Sequence, residues 1–133
     1  MDISNKDISN YDILGGAILS RNDSMMTEQL TDSAYYILLS LLVPRHGYAI
    51  MKYIEELTDG EITMGPATLY TLIKKLMKNE YIEAGESDDE RRKPYIVTNK
   101  GRDIVLKEIE RRSRMVKQGI QAIEESKEEK KYD

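Results

Sequence analysis

The chain has 133 residues, 33% of them charged, and a formal net charge of −4. That is one domain's worth of chain, too short for two substantial cores. It holds no cysteine, which excludes disulfides, zinc–thiolate sites and thiol nucleophiles.

No apolar run approaches the ~20 residues of a membrane helix, and no basic region precedes an apolar one at the N-terminus. A cytoplasmic protein with no membrane partner is expected. The negative charge is unevenly spread. Asp2, Asp7, Asp12, Asp23, Glu28 and Asp32 face only Lys6 and Arg21 within residues 1–32, so the remainder carries 18 acids and 18 bases and is neutral. A neutral segment can still gather its cations on one face.

Residues 1–27 read as a flexible arm. Asp2-Ile3-Ser4-Asn5, Asp7-Ile8-Ser9-Asn10 and Asp12-Ile13-Leu14 repeat at a period of five, which suits neither helix nor strand, and Gly15-Gly16 follows. The short apolar patch from Ile13 to Leu19 is a candidate docking segment. Met25-Met26 offers a second candidate translation start.

The pattern tightens at Thr31. Thr31, Asp32 and Ser33 are candidate N-caps for a helix through Val43 that is apolar nearly all round and ended by Pro44. After Arg45-His46-Gly47-Tyr48, the spacing of Ile50, Tyr53, Ile54 and Leu57 predicts a second helix, closed by Thr58-Asp59-Gly60.

Gly65 and Pro66 then open a third helix, proline standing at the first helical position where its missing N–H costs nothing. At 100° per residue Leu69, Leu72, Ile73 and Leu76 share one stripe. Ala67, Thr71, Lys74 and Lys78 fall opposite, with Thr68 and Lys75 beside them. This outer stripe is small at its start, hydroxylic next and cationic last, as suits a helix entering a major groove with its start near the bases. It is equally the pattern of a solvated surface helix.

Two alternating segments follow, Tyr81 to Glu86 and Lys93 to Thr98, joined by the polar Ser87 to Arg92. They predict a β-hairpin, with Pro94 confined to its margin. Arg91, Arg92 and Lys93 would sit where a wing meets phosphates or a narrow minor groove; alternatively they neutralise Asp88, Asp89 and Glu90. The fold class expected is mainly α with a small β-hairpin (α+β): a winged helix-turn-helix over residues 28–98, followed by a long C-terminal helix.

Gly47-Tyr48-Ala49-Ile50, Pro66-Ala67-Thr68-Leu69-Tyr70 and Arg92-Lys93-Pro94-Tyr95-Ile96-Val97-Thr98, with Gly101 after them, resemble the signature of PadR-type transcriptional regulators from about Leu30 to the C-terminus. Two positions depart from it: Ala67 stands where glycine is common, and Asn79-Glu80-Tyr81 lacks the usual glycine before the wing. The resemblance implies a bacterial repressor that binds an inverted-repeat operator as a dimer, with DNA contacts from Thr68 and Tyr70 as well as the outward stripe. Periodicity alone puts Tyr70 at the edge of the buried face, where a core role is the alternative.

Residues 99–133 read as a dimerisation helix and charged tail. Thr98 can cap it, and Leu106, Ile109, Ser113, Val116, Ile120 and Ile123 follow a 3-4-3-4-3 spacing. This seam either packs on its own winged helix or pairs with a second subunit against Tyr36 and Leu39. Gly119 is a candidate bend, and Glu124 to Asp133 a fraying end. A homodimer gives a small-molecule effector a mechanism, by favouring one arrangement of subunits. Some relatives sandwich flat drugs between interface tryptophans, which this chain lacks; Tyr35, Tyr36 and Met115 are candidate pocket residues whose alternative role is core packing.

Nothing suggests an enzyme or a cofactor. His46 is the lone histidine, and no phosphate loop, zinc spacing or nucleophile elbow occurs. The competing function is a winged helix used for protein–protein assembly without specific DNA binding.

Overall fold

The computed structural model describes residues 29–130, so the N-terminal arm, its Ile13–Leu19 patch and Met25-Met26 lie outside the described residues. Helix α1 spans Asp32–Ser40, and its cap Thr31 accepts a hydrogen bond from the Ala34 N–H at 3.2 Å. The sequence favours continuation to Val43, but the helix ends three residues earlier. The Leu41 carbonyl accepts from the Val97 N–H at 3.0 Å, and Arg45 exchanges two backbone hydrogen bonds with Tyr95 at 3.1 and 2.9 Å. Pairing with the hairpin thus takes the chain out of the helix before Pro44 is reached.

Helix α2 (Gly47–Leu57) buries Ile50 and Ile54. Leu57 departs from the expected stripe and is 49% exposed. Its carboxyl end closes as expected, with Asp59 and Gly60 at φ 52 and 80 and the Gly60 N–H donating to Glu55 O at 2.8 Å. Helix α3 (Pro66–Lys78) has Gly65 as its cap and proline in its first turn, and buries Leu69, Ile73 and Leu76. These side chains join Ile37, Leu38, Leu41, Ile50, Ile54 and Tyr81 in one apolar core.

Strands β1 (Ile82–Ala84) and β2 (Tyr95–Val97) pair antiparallel, Ile82 opposite Val97 and Ala84 opposite Tyr95. Both are shorter than the alternation suggests. Pro94 falls just outside, its carbonyl accepting from the Gly85 N–H at 2.8 Å. The polar tip contains a single 3₁₀ turn, Glu90–Arg92.

Helix α4 runs from Asn99 to Lys130, 32 residues or about 48 Å at 1.5 Å per residue. It continues through Gly119 and most of the charged end expected to fray. Thr98 fixes its start: its hydroxyl donates to Glu80 O at 2.7 Å and accepts from the Gly101 N–H at 3.0 Å. A Cβ at Gly101 would overlap the Tyr81 carbonyl, so only glycine lets the helix begin this close to the hairpin.

Among the described residues only the first turns of α4 pack on the remainder, through Val105 and Glu108; from Ser113 to Glu128 every residue is exposed. Glu108 is 2% exposed. Its carboxylate accepts from the Leu30 N–H at 3.2 Å, from Arg111 at 3.2 and 2.9 Å, and from Arg112 at 2.9 Å. Arg112 continues to Asp32 at 2.8 Å and to the Leu30 carbonyl at 3.0 Å. Its guanidinium lies 4.3 Å from the centre of the Tyr35 ring. Burial pushes the Glu108 carboxyl up, but the hydrogen bonds from Arg111, Arg112 and Leu30 outweigh it and hold the pKa below its ordinary value.

Two expectations follow. A carboxyl with a lowered native pKa contributes stability above its unfolded value of 4.5 and loses it as pH falls through the native one. Glu108→Gln is therefore expected to be less stable than wild type by about 2–3 kcal/mol at neutral pH, with the gap closing in acid; urea unfolding at pH 7 and pH 3 checks this. Glu80 occupies the missing glycine's place at φ 63. Left-handed backbone costs a side-chain-bearing residue about 1 kcal/mol. Glu80→Gly should raise the urea midpoint, by up to about that energy, and Glu80→Val should lower it.

Candidate nucleic-acid interface

The two stripes of α3 separate as the spacing predicts, except that Leu72 is only half-buried. Ala67, Thr68, Thr71, Lys74, Lys75 and Lys78 all reach solvent. Thr71 satisfies its own hydroxyl by donating to Ala67 O at 2.9 Å. The three lysines make no ion pair among the described residues, so their charge is available to an anion.

Tyr70 sits at the edge, 37% exposed. Its hydroxyl turns inward over Gly47, where a Cβ would overlap it. Gly47 and Tyr70 therefore form one contact, in which the bare glycine backbone at the start of α2 admits a ring from the reading-helix candidate.

The hairpin tip divides the three cations proposed for the wing. The Arg91 and Arg92 side chains are 91% and 78% exposed, and each reaches Asp89 only at 3.7 and 4.0 Å. Such loose surface pairs contribute little and leave both guanidinium groups free to move. Lys93 instead binds Glu90 at 2.7 Å, with 29% of its side chain exposed. The hydrogen bond that Lys93 donates to Glu90, and the charge of that carboxylate, raise the Lys93 pKa. The neutralising role thus fits Lys93 best.

One element escaped the sequence reading. The start of α1 lies beside α3, and Thr31 and Ser33 face Ala67, Thr68, Thr71 and Leu72 across an open hollow of about 440 Å³. No local pattern brings residues this far apart together.

Of the residues assigned to subunit pairing, Leu106, Ile109, Val116, Ile120 and Ile123 stand 44–61% exposed along α4. Tyr36 and Leu39 are half-buried against the chain's own core. Tyr35 packs edge-to-face on Tyr36, with ring centres 5.7 Å apart, and Met115 accepts a hydrogen bond from Arg111 at 3.1 Å. Among the described residues no helix is long and apolar enough to cross a membrane.

The profile of the family described as "Transcriptional regulator PadR-like family" matches residues 37–108, more than half of the chain. The chain belongs to this family. The structure of H. salinarum RosR is 30% identical with a TM-score of 0.55, the match covering 63% of this chain and 74% of that one. A transcriptional regulator from Clostridium thermocellum is 28% identical with a TM-score of 0.57, covering 70% and 96%. A PadR-like transcription factor from Bacteroides fragilis shares the fold at 24% identity, a TM-score of 0.55 and coverage of 77% and 98%. No curated protein matches the sequence.

The PadR-like signature now has a physical content. Gly47 and Tyr70, from two of its segments, meet in one contact, and Gly101 admits the Tyr81 carbonyl beside the third. Gly47→Ala is expected to destabilise the protein by about 1–3 kcal/mol through overpacking. Adding Tyr70→Ala should cost less in that background than in wild type, because truncating the ring also relieves the clash that the added Cβ creates. A double-mutant cycle by urea unfolding measures the coupling.

Proposed function

We propose that this PadR-like regulator is a homodimeric repressor in which α3 of each subunit reads one half-site of an inverted-repeat operator. The observation that carries the reading is the exposed outer stripe of α3, running from Ala67 and Thr68 through Thr71 to Lys74, Lys75 and Lys78. Small residues at the start allow close approach to base edges, while lysines at the far end meet phosphates. Tyr70 orients the helix through Gly47, and Arg91 and Arg92 extend contact from the hairpin to the flanking backbone. In this reading residues 28–98 form the DNA-binding unit and the helix beyond residue 98 the dimerisation element.

The dimer is supported by Leu106, Ile109, Val116, Ile120 and Ile123, a periodic apolar row that the described residues leave exposed. Two copies of α3 roughly 34 Å apart meet successive major grooves on one side of the duplex. A small-molecule effector that favours one arrangement of the subunits changes that separation, and its differential affinity sets how far the operator is released or retained.

The test is a mobility-shift titration on DNA upstream of the protein's own gene, repeated on genomic fragments, at several salt concentrations. Wild type should bind tightly with a steep salt dependence. Lys74→Ala/Lys78→Ala should bind more weakly, with a slope reduced by about 2. Failure to prefer any fragment over unrelated duplex at low salt would remove the repressor reading.

A further inference from the structure

The hollow between α1 and α3 has chemistry of its own. Among the described residues the Ser33 and Thr68 hydroxyls have no hydrogen-bond partner. The Thr31 oxygen accepts from the Ala34 N–H, which leaves its O–H free to donate. Thr31, Ser33 and Thr68, from the start of α1 and from α3, therefore line one open space that, among the described residues, no carboxylate lines. The space is continuous with the outer face of α3.

One acid stands beside it. Asp32 lies between Thr31 and Ser33 with its side chain 76% exposed, but Arg112 binds it at 2.8 Å. The same guanidinium holds the Leu30 carbonyl and the buried Glu108. A single side chain of α4 thus fixes the start of α1 and neutralises Asp32 beside the hollow.

We propose that this hollow seats a DNA phosphate flanking the groove that α3 enters, bound by the Ser33 and Thr68 hydroxyls. Arg112 acts on it indirectly, by neutralising Asp32, and touches no DNA. The proposal rests on the reading of α3 as the DNA-reading helix. Neutral hydroxyls are common phosphate donors and fix the orientation of a protein on the duplex. The Arg112 contact also makes α4, the proposed dimerisation helix, a determinant of how the DNA-facing edge is presented.

The experiment uses the full-length protein and the duplex that wild type enriches from a random-sequence pool, with binding measured by anisotropy across a salt series and folding followed by thermal melts. Ser33→Ala should weaken binding about three- to tenfold, the loss of one hydrogen bond to a charged group, by a factor that does not change with salt. Ser33→Asp should weaken it further, with the deficit narrowing as salt screens the added charge. Lys74→Ala should lower the salt slope by about 1. Arg112→Gln should weaken binding, and adding Asp32→Asn should restore most of it, which a merely structural loss at Arg112 would not allow.

If Ser33→Ala binds as tightly as wild type while Lys74→Ala is impaired, the phosphate seat is overturned and the reading of α3 stands. Should Asp32→Asn fail to rescue Arg112→Gln, the neutralising role of Arg112 is overturned. If wild type enriches no duplex, this inference and the reading beneath it both fall.

Discussion

The buried carboxylate of Glu108 sets the geometry on which the other parts depend. A charge removed from water is tolerable only when its oxygens are fully engaged, and Glu108 meets that condition with two arginines and the Leu30 N–H. The partners come from both sides of a junction, Arg111 and Arg112 from α4 and Leu30 from the segment entering α1. Unlike an apolar contact, which permits sliding, this set of directional bonds is satisfied in one arrangement. The long helix is thereby held at a defined angle to the body that carries α3.

A second constraint ties the hairpin into the same body. Thr98 and Gly101 bring the start of α4 against Glu80 and Tyr81, while Leu41 accepts a backbone hydrogen bond from Val97 and Arg45 exchanges two with Tyr95. The wing is thus braced from two sides although its strands have three residues each. A two-stranded ribbon this short has little stability alone. Bracing leaves the tip, with Arg91 and Arg92, as the part free to adapt to a partner.

Much of this was legible in the residues. Gly65-Pro66 and the stripe of Leu69, Ile73 and Leu76 specify α3 and its outward face, because capping chemistry and the 3.6-residue period are local properties. The 3-4 spacing from Leu106 to Ile123 marks the exposed apolar row on α4 for the same reason. The end of α1 was not legible: Leu41 leaves the helix to serve Val97, a partner 56 positions later in the chain. Nor was the role of Glu108. Its spacing to Arg111 and Arg112 signals helix-surface ion pairs, but nothing local says that the carboxylate is buried.

By itself the sequence determined the order of elements, the two-faced character of α3 and the apolar row on α4, since each is written in the spacing of neighbouring residues. Tertiary structure alone decided that Thr31 and Ser33 stand across a hollow from Thr68, that Tyr70 rests on Gly47, and that Arg112 holds Asp32. The physical reason is distance along the chain. Hydrogen bonds and packing between residues far apart in sequence follow from how helices dock, and docking is set by the shape of the whole core.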